Sequence, residues 1–137
     1  MTRSVEQIFD EVRTVPDWFE HPIASVHDRN GYGDTPLHIV ANWGDCEAIK
    51  TLIEAGADIN AKGEAGLTPL HCAVEQERPE AIVLLLAMGA EIIPDSDGYT
   101  PMQLAELLGH NELIKLFKDP TNQPAGLHED LESSGTR

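Results

Sequence analysis

The sequence predicts an all-α repeat fold, a solenoid of stacked helix pairs, and two observations carry that expectation. The dipeptide Thr-Pro occurs at Thr35-Pro36, Thr68-Pro69 and Thr100-Pro101, with spacings of 33 and 32 residues. Self-similarity at such a period marks a chain built from stacked units that share one core. Composition agrees: 41% of the 137 residues are hydrophobic but only 5% are aromatic, which suits a quasi-linear stack of Leu, Ile and Ala better than a globule around large rings.

The N-terminal stretch, residues 1–27, reads as a cap of two short helical segments. Ser4-Val5-Glu6-Gln7 has the Ser-x-x-Gln form of a capping box, and Val5, Ile8, Phe9 and Val12 follow at helical spacing, which predicts a helix over about residues 4–14. Pro16-Asp17-Trp18-Phe19 begins a shorter one. A terminal unit must cover the open end of the stack, so Phe9, Trp18 and Phe19 are expected to seal the core.

Three repeats follow, at 28–60, 61–93 and 94–119. In each, Thr before Pro is a helix start: the hydroxyl accepts from a first-turn amide, and Pro takes the first helical position without losing a bond. Gly44 and Gly109 each arrive nine residues after their Thr and close short first helices, whereas the middle copy has Glu77-Arg78-Pro79-Glu80. Second helices are read from Ala48, Ile49, Leu52 and Ile53, from Ala81, Ile82, Leu85 and Leu86, and from Leu113, Ile114 and Phe117. Gly56 and Gly89 end the first two of these. The last copy has lost one turn residue between Ile92 and Gly98. Beyond Asp119 the pattern collapses, and residues 120–137 read as an acidic, flexible tail.

Aligned on Thr, the copies read Asp34-Thr35-Pro36-Leu37-His38, Leu67-Thr68-Pro69-Leu70-His71 and Tyr99-Thr100-Pro101-Met102-Gln103. Leu52-Ile53-Glu54-Ala55-Gly56-Ala57 recurs as Leu85-Leu86-Ala87-Met88-Gly89-Ala90. Over about residues 27–118 the chain resembles the ankyrin repeat, with its T-P-L-H-x-A signature at a period of 33. The resemblance implies a solenoid of helix-turn-helix units joined by β-turn or hairpin loops. It implies that His38 and His71 are structural, tying neighbouring turns by hydrogen bonds. It also implies a protein-binding role for a concave face made of turn tips and first helices. Carried onto matching positions, that face comprises Arg29, Tyr32, Asp34, Asn42 and Trp43, then Lys62, Glu64, Leu67, Glu75 and Gln76, then Asp97 and Tyr99. Asp95 and Ser96 adjoin it, while Leu107 and Leu108 are expected under the C-terminal tail. Two settings are open to Trp43: a binding anchor on the face, or packing against the cap beside Trp18.

Little else in the chain carries chemistry. Cys46 and Cys72 lie at different repeat positions without metal or redox spacing, and no two of His21, His27, His110 and His128 share a helix face at metal spacing. There is no phosphate loop, nucleophile elbow or paired-carboxylate motif. The expectation is therefore a non-enzyme without catalytic, metal or cofactor residues. No apolar run approaches a membrane span, and Met1 to Gln7 lacks a signal-peptide pattern, so a cytoplasmic setting is expected.

Charge gives direction. The net charge is −15, of which −10 falls on residues 28–119. Such a surface repels nucleic acid and anionic lipid and attracts a basic protein. The expected function is binding of a partner protein with a basic surface, by a chain that is a monomer when free. A sharper version is an inhibitor or immunity-type protein that occludes a basic enzyme or toxin.

Overall fold

The computed structural model describes residues 2–122, and among them there are seven α-helices and no strand. Helix α1, Val5–Val12, starts where expected: the Ser4 hydroxyl accepts from the Gln7 amide at 3.1 Å, and the Ser4 amide donates to Gln7 Oε1 at 2.7 Å. Its inner face buries Ile8, Phe9 and Val12. A single 3₁₀ turn follows at Pro16–Trp18, with Trp18 fully buried. Phe19 departs from expectation. Rather than sealing the core, it is 69% exposed. Successive side chains of a three-residue turn diverge by about 120°, so with Trp18 directed inward its neighbour is turned away from the core.

The first helices are α2 (Pro36–Trp43), α4 (Pro69–Glu75) and α6 (Pro101–Leu108). Each has Thr at its N-cap, Pro in the first turn and a reciprocal capping box with the side chain three residues on. Those partners are His38, His71 and Gln103. Helices α2 and α6 end at glycines with φ of 72° and 78°, and the middle repeat places Glu77 at the equivalent point with φ 54°. A left-handed residue with a side chain carries strain that its sister repeats avoid.

The second helices are α3 (Cys46–Glu54), α5 (Pro79–Ala87) and α7 (Asn111–Lys118). Two layers result. Helix α2 packs on α4 and α4 on α6, while α3 packs on α5 and α5 on α7, and α1 closes the first end by resting on both α2 and α3. A continuous apolar core runs through all of them, from Ile8 to Leu113, with Leu37, Ile49, Leu52, Leu70, Ile82, Leu85 and Leu86 essentially inaccessible.

Residues 120–122, expected to belong to a flexible tail, instead form a 3₁₀ turn. Asn122 is buried there, and its amide donates to the Leu116 carbonyl at 2.9 Å. The rest of the expected tail, and with it any cover over Leu107 and Leu108, lies outside the described residues. No helix among the described residues is long and apolar enough to cross a membrane.

Candidate functional site: the face of turns and first helices

The turns that precede each first helix share one hydrogen-bonded frame. Asn30 donates to the Asp34 carbonyl, Gly63 to Leu67 and Asp95 to Tyr99, at 3.0, 2.8 and 2.8 Å. This equivalence fixes the register of the shortened third repeat: Asp95 takes the place of Gly63, so the lost residue lies before it. In the outer two turns an Asx side chain steadies the loop. Asn30 Oδ1 accepts from Tyr32 and Asp34 amides, as Asp95 Oδ1 does from Asp97 and Tyr99. The middle turn has no such side chain. Asp34 of the preceding repeat reaches over instead, accepting from the Glu64 amide at 2.9 Å, and a Cβ on Gly63 would lie 2.1 Å from its Oδ1. Gly63 is therefore required for space and not for its φ of −107°.

Buried histidines complete each joint. His38 Nδ1 accepts from the Thr35 amide at 3.0 Å, which leaves the proton on Nε2 to be donated to the Leu67 carbonyl at 2.9 Å. His71 repeats the pattern with Thr68 and the Tyr99 carbonyl, at 3.1 and 2.8 Å. The rings thus tie neighbouring turns. Burial holds both imidazoles below their ordinary pKa, although nearby Asp34 and Asp95 respectively oppose it. Among the described residues no group of three or more His, Cys, Asp or Glu could hold a metal ion.

The expected site residues separate into three kinds. Tyr32 and Tyr99 are exposed, at 55% and 38%, as are Lys62, Glu64, Glu75, Gln76 and Asp97. Others carry structural contacts: Arg29 donates to the Gly33 carbonyl and, at 2.8 Å, to the Lys62 carbonyl, and the Asn42 carbonyl accepts from Arg78 at 2.9 Å. Leu67 and Trp43 are half-buried and pack against the core, so Trp43 is not a freely projecting side chain.

Asp34, Glu64 and Glu75 form an acidic group that spans the joint between the first two repeats. Partial burial raises the pKa of Glu75, and the charges of Glu64 and Asp34 raise it further. The same three carboxylates add to burial in pushing the Cys72 thiol well above its usual range. Sequence reasoning missed Arg78, whose side chain lies over Gly44 of the preceding repeat, 2.7 Å from where a Cβ would stand. No spacing rule connects residues that meet only on stacking.

Comparison with known proteins supports the same architecture. The family model for ankyrin repeats (3 copies) matches residues 19–94 and 37–126. A protein of Rickettsia bellii (strain RML369-C) named as an ankyrin repeat protein is 48% identical over 48 residues, which cover 33% of this chain and 29% of that protein. One of fowlpox virus (strain NVSL) is 48% identical over 40 residues, covering 28% of this chain and 8% of its own length. The aligned part thus spans less than a third of either relative.

Proposed function

Because the chain belongs to the ankyrin-repeat family, whose repeats generally serve as protein-protein interaction modules, we propose that it binds a basic partner protein across the concave face formed by its turns and first helices. The observation that carries this reading is the acidic group Asp34, Glu64 and Glu75. Partial desolvation and then the charges of Glu64 and Asp34 disfavour the ionised form of Glu75, and a cationic partner relieves that cost. Exposed Tyr32 and Tyr99 flank the group along the row of turns and supply apolar contact area. Trp43 and Leu67 support the face by packing on the core, and Arg29 and Asn42 brace it through hydrogen bonds to the neighbouring repeat.

The chain acts by binding and not by catalysis, as a monomer when free, in the cytoplasm. The narrower form of the reading is an inhibitor or immunity-type protein. An acidic face of this kind would occlude the cationic surface with which a basic enzyme or toxin grips a polyanion.

Parallel affinity purifications test the proposal. A basic protein should be retained by the parent chain and by the Lys50→Ala and Glu54→Ala controls on the second helices, and lost from Asp34→Lys with Glu75→Lys. Retention unaffected by the double charge reversal but abolished by the controls would move the interface elsewhere.

A further inference from the structure

The exposure of Phe19 leaves a large aromatic side chain without a place in the core. It lines a cleft of about 510 Å³ between the cap and the first repeat, shared with Tyr32 and His21. Two aromatic rings, 69% and 55% exposed, therefore border one cavity in a chain with seven aromatic residues in all. Asp17 and Glu20 line the same cleft, and its described lining includes no Lys or Arg. Gly31 forms another part of the wall: a Cβ there would stand 3.2 Å from His21 Nε2, so the bare backbone lets the imidazole approach. Arg13 on the cap lines an adjoining cleft that shares Phe19, Glu20 and His21 with this one, and its guanidinium is engaged by the Ile23 carbonyl at 2.7 Å and by Asp10.

We propose that this cleft is a pocket for an arginine side chain presented by the partner protein, the guanidinium lying against Phe19 and Tyr32 and directing its N–H groups to Asp17 and Glu20. Each element of the cleft answers one property of that group. Aromatic faces attract a cation and stack on a planar one, which favours guanidinium over the more strongly hydrated ammonium of lysine. Carboxylates on the rim accept its forked donors. An anion would meet two carboxylates, and a purely apolar side chain would leave them unused. The pocket rests on the reading of the chain as a binder of basic proteins, and it extends the contact surface from the repeats onto the cap, a part of the chain outside the acidic group at Asp34.

The test uses the full chain labelled with ¹⁵N and the tripeptide acetyl-Gly-Arg-Gly-amide, beside versions with lysine, citrulline or norleucine at the centre. The arginine peptide should shift the amide resonances of Phe19, His21, Gly31 and Tyr32 in a saturable way. Its binding should weaken by about tenfold in Phe19→Ala and in the Asp17→Asn, Glu20→Gln pair, with thermal melts unchanged because these side chains are exposed. Citrulline, which keeps the shape and loses the charge, should bind no better than norleucine. Equal binding of citrulline and arginine, tighter binding of lysine, or an unchanged affinity in Phe19→Ala would overturn the proposal. Shifts confined to Asp34, Glu64 and Glu75 would remove the pocket while leaving the concave-face reading intact. Arginine binding at the cleft, with no basic protein retained through the concave face, would sustain the pocket and remove the wider reading.

Discussion

The joint between cap and first repeat and the joints between repeats solve the same problem with different chemistry. Between repeats, beneath surface contacts made by Arg29, Asp34 and Arg78, the buried connector is neutral: a histidine ring, fixed in one tautomer by its own N-cap, donates to the next turn's carbonyl. At the cap the polar connector is charge near the surface. Arg3, just ahead of α1, reaches Glu11 on that helix, Asp45 at 2.6 Å and Glu47 at 2.7 Å, and this trio holds the guanidinium pKa above its already high ordinary value. A buried neutral hydrogen bond is insensitive to salt and costly to leave unmade, whereas ion pairs near the surface are screened and individually weak. The repeat stack should therefore hold under conditions that loosen its cap.

Removing a buried connector should have the largest effect. His38→Ala leaves the Thr35 amide and the Leu67 carbonyl without their partner and opens a cavity, so denaturant unfolding should show a loss of about 2–4 kcal/mol. Gly63→Ala attacks the same joint from outside: its methyl would meet Asp34 Oδ1 and, at 2.9 Å, His38 Nε2. A loss of about 1–3 kcal/mol is expected, and a melt equal to the parent's would show that Asp34 can swing away without cost.

Acid should distinguish the joints next. In the unfolded chain the two imidazoles take up protons near pH 6.5, while burial holds their folded values lower. Between those values the unfolded chain binds more protons, so stability rises with pH there and falls as pH is lowered from 7 through 6. His71→Gln should flatten that slope, because Gln103 already fills the equivalent capping position in the third repeat, accepting from the Thr100 amide at 3.0 Å. Glu75, whose folded pKa is raised, acts in the opposite sense in the lower carboxylate range. The smallest effect belongs to the cap: Arg3→Ala should cost about 1 kcal/mol in low salt, and the difference should vanish near 1 M salt. A salt-independent loss would mean that Arg3 acts through packing.

The same contrast describes what the sequence disclosed. The repeats were legible because Thr-Pro, the terminal glycines and the apolar spacing report local backbone chemistry, and local chemistry repeats with the period. Both histidine connectors came with the family resemblance. Contacts made by stacking left no local trace: Arg78 over Gly44, Asp34 under Glu64, and Arg3 across to Asp45 and Glu47 join residues that are 30 to 44 positions apart. Phe19 was misread because a three-residue turn is too short to show a periodicity that could orient its neighbours. Trp43 was left between two settings, and its half-buried packing on the core is the kind of intermediate environment that hydrophobicity alone does not resolve.

The neighbour-only stacking of the helices also bears on how quickly the chain can find its shape. Helix α4 meets α2 and α6, and α5 meets α3 and α7, so substantial packing joins segments about one repeat apart. Short loops close with little entropic cost, and chains rich in near-neighbour contacts cross their barrier fast. The middle repeat alone has a full repeat on each side. It is the natural seed of the folding reaction, with ordering spreading outward to the cap in one direction and to α7 in the other.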